Sequence, residues 1–181
     1  MKQFILLKTS SENYPFIVDV LKMLLGNSIE IPPQQEALVI YTGTYDKQEV
    51  TDTIRSLEAD LNTSIMLYLS STNNPELEQE LVMDLFLKAS YNFYDLKSLI
   101  METNNLPRAE EILNLILEGT GVSLPVIQAM ADCDLNASKA SQLLYMHRNT
   151  LLYKMERLLE LNGFDLKSFY DVYILIKLMK A

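Results

Sequence analysis

The sequence predicts an α+β protein, mostly helical overall, with a small sheet domain first and an all-α domain after it. Three observations carry this. Short apolar runs with β-branched and aromatic members alternate with amphipathic stretches through about the first hundred residues. From Ser123 onward every stretch reads as helix. Charge divides at the same place: residues 1–121 hold 8 Lys and Arg against 18 Asp and Glu, whereas residues 122–181 hold 7 against 6. Such asymmetry marks two units with different surfaces.

In the first part, QFILLKT (3–9) reads as a strand. Residues 14–27 place Ile17, Val20, Leu21, Leu24 and Leu25 at helical spacing, closed by Gly26-Asn27. A short extra strand is expected at SIEIP (28–32), and a buried one at EALVIYTG (36–43) after the breaker Pro32-Pro33. Asp46 caps an amphipathic helix over 46–62, with Val50, Ile54, Leu57 and Leu61 on one face. SIMLYLS (64–70) is another strand, and 73–101 forms one or two helices with Pro75 near the first position. The order β-α-β-α-β-α describes a small sheet with helices packed on it. The expected domains are an acidic α/β domain over 1–104, a connector helix over 105–121 stopped by Gly119 and Gly121, and a helical domain over 122–181.

Four helices are expected in that last domain. Ser123 caps the first. Asn136 caps a second, whose Ala137, Ala140, Leu143 and Leu144 face inward. A third runs from about residue 148 to Asn162-Gly163, and the last is apolar nearly all round, from Phe169 to Met179. A helix of that kind is buried against its own domain or against a second copy.

The second and third helices are separated only by Tyr145, Met146 and His147, the sequence form of a helix-turn-helix, with Leu143, Met146 and Leu151 as interior contacts. The chain is acidic, at net −9, yet Lys139, Arg148, Lys154 and Arg157 gather around its single histidine, His147. At about 100° per residue, Leu151, Leu152, Met155, Leu158 and Leu159 make one stripe. Asn149, Thr150, Tyr153, Lys154 and Arg157 lie opposite. Cations, an amide, a hydroxyl and a phenol are the donors that grip phosphates and read base edges, and a helix N-terminus is itself a phosphate site.

The stretch ASQLLYMHRNTLLYKMERLLELNGFDL resembles the C-terminal DNA-binding domain of the PucR/CdaR family of bacterial regulators. The resemblance is carried by Ala140, Leu143, His147 to Leu151, Tyr153 to Met155, Glu156-Arg157 and Gly163 to Leu166. It spans about 122–181, and NASKASQLLYMHRNTL is more distantly similar to the DNA-binding region of the Fis protein. Leu152 stands where the family carries an arginine, and Tyr145 where an ordinary helix-turn-helix has glycine. The resemblance implies a dimeric regulator of a catabolic or metabolic operon, with the 148–159 helix in a major groove of double-stranded DNA. Arg148, Asn149, Thr150 and Tyr153 would then lie closest to bases, and Ser138, Lys139, His147, Lys154 and Arg157 nearer to phosphates. An alternative is a protein-interaction module that kept the fold and lost DNA affinity.

In that family the preceding domain resembles a degenerate GGDEF fold, and the acidic half here is expected to be a dimerisation module, a module that takes a small-molecule effector, or a relic. Cyclase chemistry needs a Gly-Gly turn beside metal-binding carboxylates, and no Gly-Gly pair exists in the sequence. We therefore expect no enzyme, cofactor or metal. The one cysteine, Cys133, excludes an internal disulfide. With neither a signal peptide nor a membrane-length apolar run, a cytoplasmic protein is expected. Family members are usually longer, with a further N-terminal sensory region.

Overall fold

The computed structural model describes residues 3–10, 12–26, 29–34 and 37–181. Asn27, Ser28 and Glu36, at the edges of expected elements, lie outside them. The chain forms two compact units, Met1–Ser71 with Val82–Leu99, and Thr72–Leu81 with Ile100–Ala181.

The elements of the first unit are β1 (Gln3–Lys8), α1 (Tyr14–Leu25), β2 (Ile29–Gln34), β3 (Ala37–Thr42), α2 (Lys47–Leu61), β4 (Met66–Leu69), α3 (Pro75–Leu87), β5 (Phe93–Tyr94) and α4 (Leu96–Glu102). Helices α3 and α4 each extend into the second unit. The sheet order is β2-β3-β1-β4-β5, antiparallel except between β4 and β5. Strand β1 is central and buried on both faces, so its sequence is a continuous apolar run rather than an alternating one. Ile5 and Leu7 share a core with Ile17 and Leu21 of α1 and Ile54 of α2. Phe4, on the opposite face, stacks on Tyr68 at 5.8 Å, and Phe86 of α3 meets Tyr68 and Tyr94 edge-on.

Asp46 caps α2, accepting from the Gln48 and Glu49 amides at 2.8 and 3.1 Å. The expected helical run over 73–101 is interrupted, and the sequence reading missed β5. Asp95 and Ser98 explain the break. Each accepts the other's backbone N–H through its side chain, at 2.8 and 2.9 Å, a reciprocal capping box that starts α4 afresh.

The second unit is helical: α5 (Ala109–Leu117), α6 (Leu124–Asp132), α7 (Ala137–Leu143), α8 (Arg148–Asn162) and α9 (Phe169–Lys180). Helix α9 packs on α5 and α6, and α8 packs on α7 and α5. Lys177 of α9 donates to the carbonyls of Ile100, Met101 and Thr103 at 2.8, 3.1 and 2.8 Å, satisfying the orphan acceptors at the end of α4. Asn162, a buried amide at the end of α8, donates to the Ile116 carbonyl at 2.6 Å. It therefore ties α8 to α5 as well as marking the helix stop.

One expectation about burial is corrected. Leu143 is 55% exposed, and Ser141 is buried in its place. The inward stripe of α7 runs through Ala140, Ser141 and Leu144, and Leu143 lies about 100° from its centre. Helix α9 is apolar nearly all round, but its outer side is open. Val172, Leu175 and Leu178 are buried, whereas Phe169, Tyr170 and Tyr173 are exposed, with the Phe169 and Tyr173 rings stacked at 6.4 Å.

Candidate nucleic-acid interface

Helix α7 opens at Asn136, whose side-chain oxygen accepts from the Ser138 and Lys139 amides at 3.0 and 3.1 Å. This fixes Ser138 and Lys139 in the first turn, both exposed. The helix closes in a Schellman motif. Met146 N–H reaches back to the Ser141 carbonyl at 2.9 Å and Tyr145 N–H to that of Gln142 at 3.2 Å. The motif needs a left-handed residue, and Tyr145 supplies it at φ 50°. Glycine is the usual occupant, because a side chain there costs about 1–2 kcal/mol.

Immediately afterwards His147 caps α8. Its Nδ1 accepts the Asn149 amide at 3.2 Å, which leaves Nε2–H as the ring's donor. Arg148, Asn149 and Thr150 follow in the first turn of α8, all exposed. No side chain of Lys139 or Arg148 makes a hydrogen bond or ion pair among the described residues. Beneath them the buried seam of α8 is narrower than a wheel implies: Leu151, Met155 and Leu158 are buried, Leu152 is half-buried, and Leu159 is 47% exposed.

The predicted polar face divides into two halves. The first, Asn149 and Thr150, faces solvent together with His147 and Arg148 and with Ser138 and Lys139 of α7. The second is engaged within the unit. Arg157 donates to the Gly119 carbonyl through both Nε and Nη2, at 3.2 and 2.8 Å, and to the Tyr153 hydroxyl at 3.2 Å. Lys154 donates to the Gly121 carbonyl. Both glycines have positive φ, 70° and 73°, and a β-carbon on Gly121 would meet the Lys154 side chain. The sequence marked these glycines as helix stops and missed them as acceptors, since hydrogen bonds spanning more than thirty residues leave no local pattern.

Among the described residues no group of three or more His, Cys, Asp or Glu side chains is placed to hold a metal. No described helix is long and apolar enough to cross a membrane.

A short helix, a left-handed turn and a longer helix seated on the first make residues 137–162 a helix-turn-helix, the unit with which DNA-binding regulators read a groove. More particularly, residues 123–176 match the PucR C-terminal helix-turn-helix domain. A crystal structure described as a regulator of polyketide synthase expression from Bifidobacterium adolescentis is similar to 99% of this chain. The match covers 78% of that chain, at 14% identity and a TM-score of 0.51. At that identity the likeness is one of fold. No curated protein matches the chain.

Proposed function

We propose that this protein is a sequence-specific DNA-binding transcriptional regulator. It places α8 in a major groove, acts as a homodimer, and controls a catabolic or metabolic operon. The observation that carries the reading is the solvent-facing start of α8. His147, Arg148, Asn149 and Thr150, flanked by Ser138 and Lys139 of α7, present donors of several types with no acidic residue in the first turn. Arg148, Asn149 and Thr150 meet base edges, with Tyr153 beside them, while Ser138, Lys139 and His147 meet phosphates. The exposed Phe169, Tyr170 and Tyr173 of α9 favour a homodimer. The acidic sheet unit serves dimerisation or takes a small-molecule effector, and no catalysis is assigned to it. The net charge of −10 over residues 1–121 keeps that part of the chain off nucleic acid.

The test is a binding titration of the full chain against promoter fragments, including that of its own operon, at several salt concentrations. Affinity should fall as salt rises, with a slope near −0.9 for each phosphate neutralised. Absence of salt-dependent binding to every fragment would sink the reading. It would favour the alternative in which the same helix face meets a protein.

Lys154 and Arg157 enter this reading differently. Both bond carbonyls of the 119–121 loop, so their first role is to hold α8 against that loop. Arg157→Ala is expected to weaken binding several-fold for all sequences alike and to leave the salt slope unchanged. A slope shallower by about 0.9 would instead make Arg157 a phosphate contact.

A further inference from the structure

We propose that Tyr145 is a DNA-contacting residue whose phenol donates to a phosphate oxygen on the flank of the groove that α8 enters. The inference rests on the DNA-binding reading above and adds a residue that the sequence pattern treats only as a departure from glycine.

Tyr145 combines two costs that nothing within the protein offsets. Its backbone is left-handed, at φ 50°. Its side chain is 99% exposed, with no hydrogen bond or ring contact among the described residues. The other non-glycine residues at positive φ are accounted for. Asn62 and Asp134 are of the types that tolerate this region. Arg108 bonds Glu111 and Glu80, and the Leu135 side chain is half-buried. Tyr145 alone among them holds an aromatic ring in water at a position where glycine would make the same turn. A residue disfavoured by both backbone and solvent is explained by something outside the free chain.

Its position says what that is. The turn runs straight into His147 and Arg148, so Tyr145 stands between the end of α7 and the solvent-facing donors that open α8, with its side chain in solvent. A tyrosine hydroxyl is a neutral phosphate donor, and its ring tolerates both water and a sugar edge. Placed there, it fixes the register of α8 without reading sequence.

The experiment uses the full chain with Tyr145→Gly and Tyr145→Phe, following thermal unfolding, oligomeric state and titration of the fragment that the wild type binds. Glycine relieves the left-handed strain, so the melting temperature should hold or rise. Affinity should nonetheless fall about tenfold, the effect of losing one hydrogen bond to a charged acceptor. The salt slope should not change, because the phenol carries no charge to release counterions. Tyr145→Phe should reproduce most of the affinity loss at unchanged stability. Wild-type affinity in Tyr145→Gly overturns the proposal. So does full affinity in Tyr145→Phe, which would leave the ring alone responsible, or a loss of affinity that tracks dissociation of the dimer. Failure of the wild type itself to bind DNA sinks the functional reading first, before either variant is made.

Discussion

Truncating Leu158 to alanine is expected to lower the stability of the helical unit by about 2–5 kcal/mol. Leu158 is wholly buried, on the helix that packs on α7 and α5. Alanine is the slightly better helix former, so helix propensity adds nothing to the loss. What disappears is buried apolar surface and the contacts that lined it, and the neighbouring helices collapse only partly into the void. Domains of this size are stable by roughly 5–15 kcal/mol, so the change consumes much of the margin. Leu159→Ala is the control. The two leucines are adjacent and a helical wheel puts both on the apolar stripe, but Leu159 is 47% exposed and its truncation should fall within about 0.5 kcal/mol of wild type. Urea unfolding of the full chain, followed by circular dichroism, measures both. Equal costs would mean that α8 is seated on a wider face than described.

The contrast between those two leucines shows how far the fold was legible. Periodicity located the helices and β1, β3 and β4 to within a few residues, because a helix or strand writes its burial into its own sequence at a fixed period. The short strand expected at 28–32 is present as β2. What periodicity does not carry is which part of an apolar face is actually covered. Leu143, Leu159 and the aromatics of α9 are apolar by type and exposed in fact, since their covering depends on where other helices come to rest. The two-residue strand β5 was lost for a related reason. It is too short to have a period, and it exists because β4 offers a parallel edge.

The candidate site divides in the same way. The sequence brought nine residues to one surface, and α7, the turn and the start of α8 do place Ser138, Lys139, His147, Arg148, Asn149 and Thr150 at exposed positions. The cap role of His147 was readable from its place before the helix. The bonding of Lys154 and Arg157 to the Gly121 and Gly119 carbonyls was not, because their partners lie a domain segment away in sequence. Nor was the left-handed backbone of Tyr145 visible except as a missing glycine.

Arg148→Ala carries the largest expected effect on binding, a loss of about 1–3 kcal/mol, or roughly five- to 150-fold. The free protein gives a reason to expect this beyond position alone. The N-terminus of α8 carries the positive end of the helix dipole, where acidic side chains are favoured and cations are disfavoured by about 0.3–1 kcal/mol. This first turn holds Arg148 and no acid, and the guanidinium has no ion-pair partner among the described residues. Removing it should therefore leave the free chain as stable as before, or slightly more so, while DNA affinity falls. That opposition of signs separates a contact residue from a structural one. Arg148→Lys distinguishes how the contact is made. A lysine keeps the charge but not the planar fork, so a phosphate contact would survive with its salt slope intact. A bidentate contact to a guanine edge would be lost along with discrimination at that base pair. Titrations of both variants against the wild-type fragment and single-base-pair substitutions of it decide the point. Undiminished affinity in Arg148→Ala would remove α8's first turn from the interface.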